Sequence, residues 1–270
     1  MTATDPQLLV ARLRAAGCVF AEEEAALLTA AAASADELES IVAQRVSGQP
    51  LEHLLGWTEF RGLRVAVTPG VFVPRQRTGY LVEQAVALAL AHRRTGSPRD
   101  CVVLDMCCGC GALGLAVGTE LRAAGIGVAL TATDLEPAAA ACARTNLAPF
   151  GAEVCCGDLF APLPAGLAGR VELLLANTPY VPTEAIAHMP PEARDHEPRT
   201  ALDGGADGLD VIRRVAAAAG DWLAPGGGVF VETGEEQAAV AVEIFAGHGL
   251  TPNVLESEEL GATVVCGVRP

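Results

Sequence analysis

The tetrapeptide Asn177-Thr178-Pro179-Tyr180 puts an amide, a backbone carbonyl, a rigid ring and an aromatic side chain into four residues. It follows Val171-Glu172-Leu173-Leu174-Leu175-Ala176, an apolar run that reads as a buried strand. In open α/β sheets, ligands bind beyond the carboxyl ends of the strands. An Asn and a Tyr placed there can grip one planar nitrogen, the Asn at its edge and the ring on its face. That suits methyl transfer to an amide or amino nitrogen, provided a methyl donor binds upstream. Taken alone, the four residues are also an ordinary turn.

Upstream, Cys101-Val102-Val103-Leu104-Asp105 is a short apolar strand ending in a carboxylate. It runs through Met106-Cys107-Cys108-Gly109-Cys110-Gly111 into a helical stretch from Ala112. Small residues at such a turn let the backbone approach a ligand. Position 107 is Cys, so no GxGxxG is present, and GxxxxGK[ST] is absent too. A second strand, Val128 to Asp134, ends in an acid at a spacing that suits ribose hydroxyls. Taken alone, Asp134 could also cap a helix with Pro137 in its first turn. A third strand-like step precedes Gly157-Asp158-Leu159-Phe160, where Asp158 can accept from an adenine amino group. Leu135 and Leu159, each following its acid, belong to the same expected cofactor surface. Carboxylates at three strand ends suit a nucleoside with a cationic sulfonium better than a pyrophosphate. Gly109 and Gly111 alone would mark only a tight turn.

These ends need elements to position them. From Asp5 to about Val46 the chain is rich in Ala, Leu and Glu at helical spacing, with Asp36 a candidate cap for the third helix. Ser47-Gly48-Gln49-Pro50 breaks this region. Between Trp57 and Pro74 the pattern alternates around Arg61-Gly62, as in a hairpin. From Thr78 onward helix and strand alternate, which predicts a doubly wound sheet. Its last strands are Gly228–Glu232 and Ala262–Val268, joined through a helix from Glu236 to Gly247, and this pair is expected to be antiparallel.

Composition excludes several classes. The net charge of −15, with 18 Arg and no Lys, argues against a duplex-DNA binder. No apolar run reaches the length of a membrane span, and the start lacks the pattern of a signal peptide. A cytoplasmic protein without nucleic-acid or membrane partners is expected. The nine Cys include the adjacent pairs Cys107-Cys108 and Cys155-Cys156. They are not a secreted disulfide framework, and the spacing does not favour a metal site.

Further blocks sharpen the reading. Gly48-Gln49-Pro50-Leu51-Glu52-His53-Leu54-Leu55-Gly56 is similar to G-x-P-x-x-Y-[IL]-x-G, and Val71-Phe72-Val73-Pro74-Arg75 to V-L-I-P-R. Asp105 to Gly111 resembles D-L-G-T-G-S-G, Ala132-Thr133-Asp134 resembles A-T-D, and Asn177 to Tyr180 resembles N-P-P-Y. Glu192 to Leu209 resembles E-V-x-x-x-E-P-x-x-A-L-x-G-G-x-D-G-L, which is more specific than the rest. Together these resemble the release-factor glutamine methyltransferases (HemK/PrmC proteins) over almost the full length.

The resemblance implies an α/β protein with a class I, Rossmann-like methyltransferase sheet that uses S-adenosylmethionine. It implies a helical domain over 1–48, a hairpin linker over 49–77 and the methyltransferase domain over 78–270. The implied substrate is the glutamine amide of a Gly-Gly-Gln motif in a peptide chain release factor. Another protein, a peptide or a small molecule is the alternative substrate, and a silent nucleoside-binding scaffold the alternative role.

On this reading Asn177, Thr178, Pro179 and Tyr180 are the catalytic residues. Asp105, Cys107, Gly109, Gly111, Asp134, Leu135, Asp158, Leu159 and Asn177 face the cofactor. Glu197 and Pro198 join Asn177, Pro179 and Tyr180 around the substrate. Arg75 is expected to meet the donor's carboxylate or pair with a nearby acid, and Phe72 and Val73 to pack in the core or on the ligand.

Several departures suggest a divergent paralogue. P-R-x-[DE]-T-E becomes Pro74-Arg75-Gln76-Arg77-Thr78-Gly79, losing two carboxylates. The first loop glycine is Cys107, the second residue of N-P-P-Y is Thr178, and the closing D-L-x-G-x-x-R lacks its Arg.

Overall fold

Three short helices open the chain in the computed structural model, which describes residues 5–93 and 99–270. They are α1 (Pro6–Ala15), α2 (Ala21–Ala31) and α3 (Ala35–Val46). Asp5 caps α1 by accepting from Gln7 N, with Pro6 in the first turn. The cap of α3 is Ser34 rather than Asp36. Ser34 Oγ accepts from Glu37 N, and the Glu37 carboxylate accepts from Ala33 N. Leu9, Leu13, Leu28 and Val42 close a small apolar cluster of their own.

A five-residue helix, α4 (Leu51–Leu55), ends at Gly56 with φ 76° and adds Leu51, Leu54 and Leu55 to that cluster. The hairpin follows as β1 (Trp57–Phe60) and β2 (Leu63–Ala66). Its two-residue turn has positive φ at Arg61 (49°) and Gly62 (71°), which matches the twist of the paired strands. Phe60, Val65, Val67, Val71 and Val73 turn into the main core.

The main body runs α5 (Gly79–Arg93), β3 (Cys101–Met106), α6 (Ala112–Ala123), β4 (Val128–Asp134), α7 (Pro137–Leu147) and β5 (Glu153–Cys156). It continues through β6 (Val171–Ala176), α8 (Pro191–His196), α9 (Asp210–Trp222), β7 (Leu223–Thr233), α10 (Ala238–Gly247), β8 (Thr251–Ser257) and β9 (Ala262–Val268). The seven strands lie in the order β5-β4-β3-β6-β7-β9-β8, and β9 is antiparallel to both neighbours.

Side-chain alternation explains the apolar runs. Cys101 and Val103 face the layer of α5, α6 and α7, while Leu104 and Met106 face α9 and α10. Leu173 and Leu175 divide from Leu174 and Ala176 in the same way. Both faces of the central sheet are therefore covered, and β3 and β6 are apolar along most of their length.

Two elements differ from the sequence expectation. Strand β7 starts at Leu223, five residues before Gly228. Strand β8 was not expected: it is a half-polar edge strand carrying Pro252, a residue that only an edge tolerates.

Candidate active site

The strand order reverses at β3, which pairs with β4 on one side and β6 on the other. A crevice opens at such a point. Register then decides which residues meet. Met106 lies beside both Thr133 and Ala176, so Cys107, Asp134 and Asn177 leave the sheet side by side. Asp134 pairs with Cys156, which brings in Gly157 and Asp158. Of the expected site residues, all but Asp105, Gly111 and Glu197 line one cavity.

The loop after β3 is built on left-handed backbone. Cys107 (φ 53°), Gly109 (54°) and Gly111 (80°) all adopt it. A side chain at such a φ is strained by about 1–2 kcal/mol, so Cys107 carries a cost that a glycine would not. Asp105 stands beneath the loop, fully buried. Its Oδ2 accepts from Gly114 N at 2.8 Å, and a Cβ on Gly114 would lie 2.9 Å from that oxygen. Its Oδ1 has no partner among the described residues. Burial, helped by the Asp134 charge, pushes this carboxyl up to about 8.

Asp134 is not the cap of α7; Glu136 holds that place. The Asp134 carboxylate instead accepts from Gly109 N (2.8 Å) and Glu136 N (2.9 Å), tying the β3 and β4 loops together. Burial raises its pKa against those two bonds. Leu135 is 54% exposed on the cavity wall. Asp158 is held by Arg214 at 2.6 Å, and Leu159 also has positive φ (47°). Thr200 Oγ1 reaches Glu136 at 2.8 Å, joining the segment after Pro198 to the β4 loop.

Asn177 and Tyr180 differ sharply in their bonding. Asn177 Oδ1 is buried and has no hydrogen-bond partner among the described residues, and Thr178 Oγ1 is in the same state. The Tyr180 hydroxyl donates to Glu232 Oε1 (2.7 Å) and accepts from Arg77 Nη2 (2.7 Å). Burial first, and the Glu232 carboxylate second, raise its pKa, so it stays protonated. Its backbone carbonyl accepts from Gln237 Nε2 at 2.9 Å. The glycines after Leu202 seat this loop. A Cβ on Gly204 would lie 2.7 Å from the Pro179 carbonyl, and one on Gly208 would collide with the carbonyl of Tyr180.

Glu197 stands behind the wall, 6% exposed. It accepts from Val73 N (3.2 Å) and from Arg75 Nη2 (2.7 Å). Arg75 thus pairs with an acid, over the ring of Phe72 at 4.7 Å. Val73 is core, while Phe72 and Pro198 line the cavity.

Sequence reasoning missed Glu232, Gln237, Arg214 and Asn146. Asn146 bonds Ala66 and the Cys110 carbonyl, fixing hairpin to loop. Only Glu232 carried a signal, as a lone acid within an apolar strand. The cysteines are free thiols, and no three His, Cys, Asp or Glu side chains group for a metal among the described residues. No helix among them is long and apolar enough to cross a membrane.

The strand order, the antiparallel β9 and the cavity at the strand ends define a class I, Rossmann-like methyltransferase fold. A methyltransferase from Pyrococcus furiosus shares it with a TM-score of 0.54, covering 77% of this chain and 90% of that one at 15% identity. No protein-family model matches the chain. It is 40% identical over 223 residues to the release factor glutamine methyltransferase of Mycolicibacterium smegmatis, covering 82% of this chain and 75% of that protein. For the enzyme of that name from Geobacter sulfurreducens the identity is 36% over 231 residues, covering 85% and 76%. The chain belongs to the release factor glutamine methyltransferase family.

Proposed function

We propose that this chain methylates the side-chain amide nitrogen of a glutamine, the one in the Gly-Gly-Gln motif of a peptide chain release factor, using S-adenosylmethionine in the cytoplasm. One observation carries the reading. Asn177 Oδ1 is a buried acceptor without a partner among the described residues, at the end of β6 and beside the β3 loop. An orphaned acceptor is costly unless a ligand satisfies it, and a primary amide supplies the N–H it lacks.

The donor set fits the cofactor. Asp134 and Asp158 supply carboxylates for ribose and adenine, with Arg214 holding Asp158 in place. Leu135 and Leu159 offer apolar contact, and Cys107 and Gly109 bring backbone close. Asp105 and Gly111 act from behind, shaping the loop. When bound, S-adenosylmethionine supplies an electrophilic methyl group on a sulfonium.

The protein's own part is positioning. An amide nitrogen is a poor nucleophile because its lone pair is delocalised. Asn177 Oδ1 and the Thr178 carbonyl accept its two N–H groups, Tyr180 packs on its plane, and Pro179 fixes the turn. As the nitrogen pyramidalises, its N–H groups become more acidic and both acceptors hold them more strongly. This is differential binding of the transition state. Glu197 keeps Phe72 and Arg75 in the wall, next to Pro198.

The test is label transfer from methyl-labelled S-adenosylmethionine to two release factors, one native and one with its Gly-Gly-Gln glutamine replaced by alanine. Label in the native protein alone is expected. Label in neither, with donor binding intact, would place the substrate elsewhere.

A further inference from the structure

We infer that Arg77 is a positioning residue for the acceptor amide, acting through the ring of Tyr180. The inference rests on the function proposed above. Arg77 lies in the turn Gln76–Thr78, far from Tyr180 in sequence, yet both line the same cavity. Its Nη2 donates to the Tyr180 hydroxyl at 2.7 Å while its Nε pairs with Glu232 Oε1 at 3.0 Å. The hydroxyl donates to that same oxygen at 2.7 Å. Guanidinium, phenol and carboxylate therefore close a three-membered ring of hydrogen bonds.

Glu232 anchors it. Its side chain is 2% exposed, near the carboxyl end of β7, whereas the Arg77 side chain is 48% exposed at the rim. The ring is thus rooted in the sheet and reaches the cavity mouth. At its other end Tyr180 is held by Gln237, which donates to its carbonyl. With hydroxyl and carbonyl both bonded, Tyr180 is held at both ends within the cavity it shares with Asn177. A planar guanidinium supplies two donors at the spacing this needs, which an ammonium does not.

Arg77 stands where the family pattern quoted above carries Asp or Glu. An acid there would face Glu232 with like charge, so the triad depends on the Arg that this chain carries at position 77. The bland role, neutralising a buried carboxylate, predicts a loss of stability that is blind to Tyr180. A positioning role predicts an effect that depends on the hydroxyl.

The experiment is a double-mutant cycle on the full chain, with Arg77→Met, Tyr180→Phe and the pair, plus Arg77→Lys. The readouts are kcat on the release factor, KM for the donor, and the NMR signal of ζ-carbon-labelled tyrosine. The chain has only two tyrosines, Tyr80 and Tyr180, so Tyr180→Phe assigns the signals. We expect Arg77→Met to lower kcat about ten-fold with donor KM unchanged, as misplacement of a positioning group does. In the Tyr180→Phe background the same change should cost less than about two-fold, because the shared interaction is already gone. Arg77→Lys should recover part of kcat. The Tyr180 signal should move or broaden in Arg77→Met while that of Tyr80 stays.

Equal losses of kcat in both backgrounds, or an unmoved Tyr180 signal, would overturn the inference. If the wild type fails to methylate the release factor, the proposed function fails instead. The Tyr180 signal then still decides for or against the Arg77 contact.

Discussion

Asn177 and Tyr180 leave one strand end in opposite states: the amide oxygen is unsatisfied and the phenol is bonded on both sides. Under the proposed function, the unsatisfied group is the one that meets the substrate amide. Replacing Asn177 with Ala should abolish turnover while leaving donor affinity within a few-fold, as titration calorimetry would show. Unchanged turnover would remove the amide grip. Asp105 gives the fold a pH dependence. Its folded pKa of about 8 stands above its ordinary 3.8. As pH rises through that window, the unfolded chain loses the proton while the folded chain keeps it. Stability is therefore full below the lower value, falls as pH rises and levels off above the upper one. Asp105→Asn retains an acceptor for Gly114 N and should flatten this slope between about pH 5 and 8 in urea unfolding without donor. An equal slope in the variant would show that another group titrates.

At the scale of elements, the site is assembled by strand register and by glycines. Gly208 has φ 78°, and a Cβ there would strike both the Tyr180 carbonyl and Gln237. Gly208→Ala should cut kcat on the order of ten- to a hundred-fold with donor binding retained. Loss of both together would mean that the loop also shapes the donor side. The sequence shows why some of this was legible. Asn177, Asp134 and the Cys107 loop each end an apolar run, and a run buried on both faces announces its own strand. The tight turn at Arg61-Gly62 was legible for a local reason as well. Partners of Tyr180 were not: Arg77 and Glu232 reach it across 103 and 52 positions, and nothing local marks such meetings. Strand β8 was hidden because an edge strand with Pro252 lacks the apolar run of its neighbours.

Across the whole molecule, Arg45 joins the amino-terminal helices to the catalytic body. It is 7% exposed, holds Glu24 through two bonds (2.6 and 3.1 Å), and reaches Glu192 of α8 at 2.5 Å. Helix α8 leads directly into Glu197, which braces Val73 and Arg75. A contact in the helical region is therefore two steps from the cavity wall. Arg45→Met would leave Glu24 buried without its partner and should cost about 3 kcal/mol in urea unfolding, with proteolysis opening first before Ser47. Unaltered stability would mean that the helices are held by their apolar cluster alone. The proposed reaction turns on where a methyl group lands. The most direct measurement is fragment-ion mass spectrometry of the release factor's Gly-Gly-Gln peptide after reaction with this protein and S-adenosylmethionine. One added methyl on the glutamine side-chain nitrogen is the result predicted. An unmodified peptide, or a methyl on any other atom of it, would contradict the proposed function.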